Sequence, residues 1–337
     1  MEKLMSETAS DVDIRPTPPG GRGPTSLGEL AGRMSQALPA VERRTLALRL
    51  LETEAEEITF RRNGIRWTAF PWDHQISQPL FVSGGFQQCE VRAVLARMAR
   101  EGRLAAPRDV IVDVGANIGT STVPFAMETG CRVLAIEPVP ELFAVLRRNI
   151  ADNGLEPRVT CVQAAIHASR ADRVRMVLPA GNSGGGEIQR LARPPTFDAR
   201  HPVRGIVDVP ASGLADVLDA HDMAAERVAF VWSDTQGSEA DVIESGERLW
   251  AAGVPLFTEL DPETWGPDGA APLLSAAAAH FSAFVFAEVL IRDDAASPRP
   301  IAELSSLCQQ LGPEGGDVLL LPDGLRRRSG AGRASRA

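Results

Sequence analysis

Two acidic residues end two predicted strands, at a spacing that suits a nucleotide ligand. Asp113 closes an apolar, β-branched run that begins near Asp109, and Glu137 closes the run that begins at Arg132. The carboxyl ends of parallel strands form the ligand-binding edge of an open α/β sheet. The 24 positions that separate the two acids suit a second carboxylate that accepts both hydroxyls of a ribose. We therefore predict an adenosine compound at this edge.

The turn after the first strand distinguishes among adenosine compounds. It reads D-x-G-x-N-x-G, from Asp113 through Gly115, Asn117 and Gly119, and Thr120 follows it. Two glycines of a dinucleotide-binding turn are replaced here, and the lysine of a P-loop is missing. An acid before the turn repels a pyrophosphate but accepts a hydrogen bond from an α-ammonium group. S-adenosylmethionine carries that ammonium and no phosphate, so we predict it as the cofactor. An ordinary βαβ turn is the structural alternative.

Three stretches in order resemble the FkbM-type family of S-adenosylmethionine-dependent methyltransferases. They are residues 112–120 (VDVGANIGT), 136–138 (IEP) and 231–239 (VWSDTQGSE), within a similarity that covers roughly residues 76–321. The resemblance implies a class I methyltransferase fold. It also implies methyl transfer to a hydroxyl group, often that of a sugar or a natural product.

Three residues depart from that family's pattern. The last motif commonly reads K-x-D-x-E-G-x-E, and Trp232 and Gln236 stand here in place of its lysine and first glutamate. The upstream stretch often ends in an aromatic residue and a glutamate, and here Phe86 leads into Gln87. Because charges are replaced, a cofactor-binding protein without catalytic activity is one alternative to an enzyme. A nicotinamide-dependent dehydrogenase on a related sheet is another, although the missing glycines disfavour it.

Further acids follow two later predicted strands at the same edge. Asp234 ends the run over residues 227–234. Glu259 lies at the end of the run over residues 254–260, and Asp261 follows that run. A hydroxyl acceptor needs a base or a metal ion, because its own pKa is far above neutral. These acids are therefore candidates for the chemical step.

Three interpretations of Asp234 are open. Asp234, Glu259 and Asp261 together offer the hard oxygen ligands of a Mg²⁺ ion. Alternatively, Asp234 acts as the base while Gln236 orients the acceptor. In the third interpretation, Asp234 is structural and caps the helix that begins near Gly237.

The loops after the second and third strands are expected to complete the cofactor site. Pro138 follows Glu137 directly, as in the family's motif. Gln163 and Ala164 lie at the carboxyl end of the third predicted strand, residues 158–163, where an adenine ring lies in this topology.

The site residues require an α/β domain to position them. We predict a Rossmann-like class I methyltransferase domain over residues 101–322, with seven mostly parallel strands, a final antiparallel strand and helices on both faces. Residues 1–25 are expected to be disordered, and residues 323–337 to form a flexible basic tail. A cap over residues 26–100 contains two helices divided at Pro39 and a hairpin.

Shorter patterns predict the remaining elements. The hairpin of the cap turns at Asn63-Gly64. Residues 173–178 and 206–209 are expected to pair as extra strands around the run of three glycines at residues 184–186. Residues 281–290 are read as one strand of the main sheet.

Composition limits the partners of the chain. Its formal net charge of −9 at pH 7 argues against a general nucleic-acid binder, since phosphate affinity needs clustered Lys and Arg. No apolar run suits a signal peptide or a membrane span, so we expect a cytoplasmic protein with a small-molecule substrate. Cys89, Cys131, Cys161 and Cys308 are widely spaced and are expected to remain reduced. The helices of the cap are a candidate surface for self-association.

Overall fold

The computed structural model describes residues 15–16, 39–104, 110–169, 171–189, 202–261, 270–312 and 315–323. The strands are β1 (Arg15–Pro16), β2 (Ile58–Arg62), β3 (Ile65–Ala69), β4 (Val110–Val114), β5 (Arg132–Ile136), β6 (Val159–Val162), β7 (Ala165–Ile166), β8 (Arg173–Pro179), β9 (Glu187–Ile188), β10 (Val203–Ser212), β11 (Val228–Ser233), β12 (Leu256–Leu260), β13 (Phe281–Phe286), β14 (Arg299–Pro300) and β15 (Gly316–Pro322). The helices are α1 (Ala40–Leu51), α2 (Ser77–Ser83), α3 (Gln88–Arg100), α4 (Thr122–Thr129), α5 (Pro140–Asp152), α6 (Leu214–Ala220), α7 (Glu239–Ser245), α8 (Glu247–Ala251), α9 (Ala270–His280), α10 (Ala287–Arg292) and α11 (Leu304–Leu311).

The main sheet has eight strands in the order β14-β13-β15-β12-β11-β4-β5-β6. β6, β5, β4, β11 and β12 are parallel neighbours, whereas β15 runs antiparallel to both β12 and β13. The predicted seven-stranded, mostly parallel sheet with a final antiparallel strand is confirmed, and β14 is an additional edge strand. Strand order reverses between β4 and β11, so a crevice opens over their carboxyl ends.

The central strands are buried on both faces of the sheet. Every residue of β4 and of β11 is buried, as expected for parallel strands that helices cover on both sides. One face packs against the cap and α3 to α5, and the other packs against α6 to α9 and α11. On the first face the rings of Trp232 and Phe257 stack at a centroid distance of 4.1 Å. Asp113 is the acidic residue of β4, and it is 0% exposed.

The cap packs on α5 through two asparagines. Asn149 accepts from the backbone N–H of Thr68 (2.6 Å) and donates to its carbonyl oxygen (3.0 Å). Asn153 makes the same pair of bonds with Arg66, at 2.9 and 2.7 Å. The two side-chain amides therefore satisfy the outer edge of β3, where a neighbouring strand would otherwise pair.

The cap agrees with its predicted outline where the structure describes it. β2 and β3 form the predicted hairpin, and Asn63 and Gly64 both adopt left-handed backbone angles at its turn. The second predicted helix, α1, begins after Pro39, and the first lies outside the described residues. Within the stretch expected to be disordered, β1 pairs with β2, and residues 1–14 lie outside the description.

A second sheet has four strands in the order β7-β10-β8-β9. The predicted pairing of residues 173–178 with 206–209 is confirmed within the longer β8–β10 ladder. The strand predicted over residues 281–290 is shorter than expected: β13 ends at Phe286 and α10 begins at Ala287. The apolar run continues across that boundary, and such a run does not distinguish a short strand from a buried helix.

Cys89, Cys131, Cys161 and Cys308 are thiols outside any disulfide. Among the described residues, no helix has the length and apolar character needed to cross a bilayer. All but the first residue of the predicted basic tail lie outside the described residues.

Candidate functional site

A cavity open to solvent, about 760 Å³ when its open mouth is included, lies over the carboxyl ends of β4 and β11. Seven of the predicted site residues line it: Gly115, Asn117, Thr120, Glu137, Pro138, Ala164 and Asp234. The other six predicted site residues are not among the described residues that line this cavity: Asp113, Gly119, Gln163, Gln236, Glu259 and Asp261. Both ends of the predicted chemistry, the ribose acid and the candidate base, therefore share one cavity.

The turn after β4 depends on its first glycine. Gly115 has a φ of +82°, and a Cβ added there would overlap the carbonyl oxygen of Asp234. The backbone N–H of Asp234 in turn donates to the carbonyl oxygen of Val114 at 3.0 Å. Asn117 adopts a left-handed backbone (φ 49°), which its short polar side chain tolerates. The cofactor turn and the start of the loop after β11 are thus in direct contact.

Glu137 lines the cavity with both carboxylate oxygens hydrogen-bonded to the main chain. Its Oε2 accepts from the backbone N–H of Asn117 at 2.9 Å, and its Oε1 accepts from that of Val139 at 2.8 Å. The carboxyl is 3% exposed, and burial raises its pKa to about 7. Because each carboxylate oxygen has a second lone pair, both can still accept from a ligand in the cavity.

Asp113 fixes the start of α4. Its Oδ2 accepts from the Ser121 hydroxyl at 2.7 Å and from the Thr122 hydroxyl. Its Oδ1 is buried and has no protein partner, so this oxygen remains for a further donor. Burial raises the pKa of Asp113 to about 6, although the two hydroxyl bonds oppose that rise.

Two glutamine side chains converge on Asp234. Gln87 donates from Nε2 to Oδ2 at 3.1 Å, and Gln236 donates from Nε2 to Oδ1 at 3.2 Å. Both glutamines adopt left-handed backbone angles, with φ of 49° and 46°. Burial raises the pKa of Asp234 above its usual range, and these two amide bonds oppose the rise. A helix-capping role for Asp234 is not what the structure shows, because α7 begins after Ser238 and the Asp234 carboxylate is held by amides.

The predicted Mg²⁺ site at Asp234, Glu259 and Asp261 is not supported. Across the described ranges, no group of three or more His, Cys, Asp or Glu residues is arranged to hold a metal ion. The Gln236 amide lies between two of the carboxylates, since its Nε2 also donates to Glu259 Oε2 at 2.6 Å. Burial, followed by repulsion from Asp234, raises the pKa of Glu259 to about 10. A carboxyl that stays protonated at neutral pH is a poor ligand for a hard cation.

The wall beside Glu137 is largely apolar. Pro138, Val139, Leu142 and Ala164 line it, which suits the flat face of a purine ring. Gln163 points to this wall from outside, because its Nε2 donates to the Pro138 carbonyl oxygen at 3.4 Å. Its predicted contact with the cofactor stays a prediction.

Sequence reasoning missed most of the opposite wall. Ile76 and Phe86 reach the cavity from the cap, whereas Met176, Ser183 and Ile188 reach it from the second sheet. The glycine run at residues 184–186 was the signal for this wall, since a glycine-rich loop often allows close approach to a ligand. The cap residue that packs against this glycine run, Ile76, had no comparable signal in the sequence.

Comparison with known proteins identifies one family. Residues 113–268 match the family described as "Methyltransferase FkbM domain". The chain is also 30% identical over 185 residues to the methyltransferase sdnD of Sordaria araneosa, a match that covers 49% of this chain and 70% of that protein.

Solved structures give weaker likenesses. An O-methyltransferase from Bacillus cereus in complex with SAH is 12% identical, with a TM-score of 0.35, over 68% of this chain and 80% of that one. Geranyl diphosphate methyltransferase in complex with GPP and sinefungin is 13% identical, with a TM-score of 0.35, over 72% of this chain and 78% of that one. The fold assignment rests instead on the strand order and on the sequence matches.

Proposed function

The chain belongs to the FkbM methyltransferase family, and from that premise we propose that it uses S-adenosylmethionine to methylate a hydroxyl group of a small molecule. A sugar or a natural-product intermediate is the proposed acceptor class. One observation carries the proposal: Glu137 and Asp234 line the same cavity, at the point where strand order reverses.

The residues of the cavity fit S-adenosylmethionine. Glu137 retains lone pairs for the two ribose hydroxyls, and Pro138 and Ala164 offer an apolar wall for the adenine ring. Asp113 has one buried oxygen without a partner, which suits a donor such as an ammonium group, reached directly or through water. A pyrophosphate would lie beside the carboxyl of Glu137, with the buried carboxyl of Asp113 behind the turn and no lysine within it. When bound, the cofactor supplies an activated methyl group on its sulfonium.

Asp234 is the proposed catalytic base. With the cofactor bound, one carboxylate oxygen of Asp234 would accept the proton of the acceptor hydroxyl. The hydroxyl oxygen would gain the methyl group as its bond to the cofactor sulfur breaks, and S-adenosylhomocysteine would leave. Gln87 and Gln236 hold the carboxylate in place, one on each oxygen. Burial raises the pKa of Asp234, which makes its carboxylate a stronger base than that of an exposed aspartate. No metal ion is needed to orient the carboxylate, because the two amides already do so.

The experiment begins with binding. Calorimetry should detect binding of S-adenosylhomocysteine to the protein. A thermal-shift assay should show that S-adenosylhomocysteine stabilises the protein and that NAD does not. Transfer of a tritiated methyl group should then be screened over sugars, polyketides and peptides, and the product bond identified by mass spectrometry and NMR. Binding without transfer to any acceptor would favour the catalytically silent alternative. Stabilisation by NAD alone would overturn the proposal.

A further inference from the structure

The carboxylate of Asp73 joins two segments that are far apart in the sequence. On the cap side, its Oδ1 accepts from the backbone N–H groups of Gln75 (3.1 Å) and Ile76 (3.3 Å). Its Oδ2 accepts from the backbone N–H (3.0 Å) and hydroxyl (2.9 Å) of Ser77. From the second sheet, Ser183 donates its N–H to Oδ1 at 3.2 Å and its hydroxyl to Oδ2 at 2.7 Å. Asp73 is 0% exposed, so these bonds take the place of water.

The segment that carries Ser183 lies closely against the cap. We call residues 181–186 the glycine loop. The Gly181 carbonyl oxygen accepts from the backbone N–H of His74 at 2.9 Å. A Cβ added to Gly184 would lie 2.8 Å from Ile76 Cδ1, so the loop backbone packs directly against the Ile76 side chain. Asn182 shapes the loop internally, since its Oδ1 accepts from two N–H groups of the loop, at 2.9 and 3.1 Å.

The glycine loop also touches the cofactor turn. Ser183, Gly184 and Gly186 line the cavity. The Ser183 Oγ lies 3.4 Å from Asn117 Oδ1, and the backbone N–H of Asn117 donates to Glu137 at 2.9 Å. A continuous chain of contacts therefore runs from Asp73 through the loop to the proposed ribose acid.

We propose that Asp73 is a positioning residue for cofactor binding. Through Ser183 it holds the glycine loop against the turn that carries Asn117, and so it sets the width of the cavity beside Glu137. Asp73 does not itself reach the cofactor, so its effect falls on affinity and not on the chemical step. The inference rests on the proposed function, because it takes the cavity to be the S-adenosylmethionine site.

Three variants of the full chain test the proposal. Asp73→Asn weakens the anchor itself, and Ser183→Ala removes the hydroxyl bond from the loop side. Ser77→Ala is the matched control, because Ser77 is equally buried and donates to the same Oδ2 but lies on the helix side, away from the cavity. Each variant is assayed for S-adenosylhomocysteine affinity by calorimetry and for hydrogen exchange in peptides that cover the glycine loop.

The expected results distinguish an effect on the position of the glycine loop from an effect on the stability of the fold. Asp73→Asn and Ser183→Ala should raise the Kd by about three- to tenfold, the loss of one or two net hydrogen bonds, and should speed exchange in the glycine loop. The KM for S-adenosylmethionine should rise with the Kd, whereas kcat at saturation should stay within about twofold of the parent, since the chemical step is untouched. Ser77→Ala should lower the Tm by a similar amount and leave both the Kd and loop exchange unchanged.

Two outcomes would overturn the inference while the proposed function stands. One is parental affinity in Ser183→Ala or Asp73→Asn, and the other is an equal loss of affinity in Ser77→Ala. If Asp73→Asn does not fold, unchanged loop exchange in Ser183→Ala is decisive against the inference. A parent protein that binds no S-adenosylhomocysteine overturns both.

Discussion

Glu137 and Asp234 serve opposite ends of the proposed reaction, and their surroundings differ accordingly. Glu137 is held by two backbone N–H groups, so its position is set by the main chain. Asp234 is held by two side-chain amides, so its position depends on Gln87 and Gln236. Burial raises the pKa of both carboxyls. We therefore expect a mutation of Glu137 and a mutation of Asp234 to have separate effects.

Glu137→Gln should weaken cofactor binding. The variant keeps the size of the side chain but replaces one acceptor oxygen with a donor that faces an N–H group, and it removes the charge that strengthens bonds to ribose hydroxyls. We expect the Kd of S-adenosylhomocysteine to rise by at least about tenfold, as measured by calorimetry. Glu141→Gln is the control, because Glu141 lies on the same segment but pairs with Arg204 outside the cavity. Equal affinities in the two variants would remove Glu137 from the site.

Asp234→Asn should remove the base and spare the cofactor. With an acceptor found by the methyl-transfer screen, kcat should fall by about 10² to 10⁴, while the Kd of S-adenosylhomocysteine stays within about twofold. In the parent, the base works only when ionised, and its pKa is raised. Activity should therefore fall as the pH drops through that raised pKa, at a higher pH than for an exposed aspartate. A full rate in Asp234→Asn would leave this residue a purely structural role.

At the scale of elements, the contact between β4 and β11 sets the geometry of the site. Strands of this sheet were predictable because parallel strands buried on both faces read as apolar runs that end in polar residues. Helix α10 was not, because Val289 and Leu290 continue the apolar run of β13. The contact between Gln87 and Asp234 was beyond any local pattern, since 147 positions separate the two residues.

Gly115→Ala should disrupt the site more than a change at a comparable glycine elsewhere. Both Gly115 and Gly154 have positive φ values, +82° and +67°, so alanine costs about 1 to 2 kcal/mol of backbone strain at either position. At Gly154 nothing lies within 4 Å of an added Cβ. At Gly115 the Cβ would also overlap the carbonyl oxygen of Asp234, so β4 and β11 must separate.

The measurement is chemical denaturation of both variants. Gly115→Ala should lose at least about 3 kcal/mol in the free energy of unfolding and lose cofactor binding. Gly154→Ala should lose only about 1 to 2 kcal/mol and keep cofactor binding. Equal losses of unfolding free energy in the two variants would mean that Gly115 does not pack tightly against the Asp234 carbonyl oxygen.

At the scale of the whole molecule, buried and half-buried acids gather at one end of the sheet. Burial raises the pKa of Asp113 to about 6, and those of Glu137 and Asp317 to about 7. Glu259 and Asp317 face each other across β12 and β15, which adds to the repulsion. The composition indicated an acidic chain, but a net charge carries no information about where the acids meet.

The stability of the ligand-free protein should fall as the pH rises from about 4 to about 7. Each of these carboxyls has a higher pKa in the folded chain than in the unfolded chain, so the folded chain binds more protons over this range. Raising the pH through the folded pKa forces a buried group to ionise and removes that stability. Thermal unfolding should show a Tm several degrees lower at pH 8 than at pH 5.

Asp317→Asn is the control for this pH dependence. The variant removes one carboxyl that has a raised pKa and does not line the cavity. The decline in Tm between pH 5 and pH 8 should therefore be smaller than in the parent. An identical decline would assign the effect to general repulsion in an acidic protein.

The touching backbones of Gly115 and Asp234 also bear on how such an enzyme can change its acceptor during evolution. The proposed base is seated on the same turn that the cofactor uses, so neither can shift without the other. A new acceptor must then be accommodated by replacing Phe86, Met176 or Ile188, which belong to the cap and the second sheet. Exchanging these three side chains between relatives, with Asp73 and the glycine loop kept, should transfer acceptor preference while leaving the cofactor site intact.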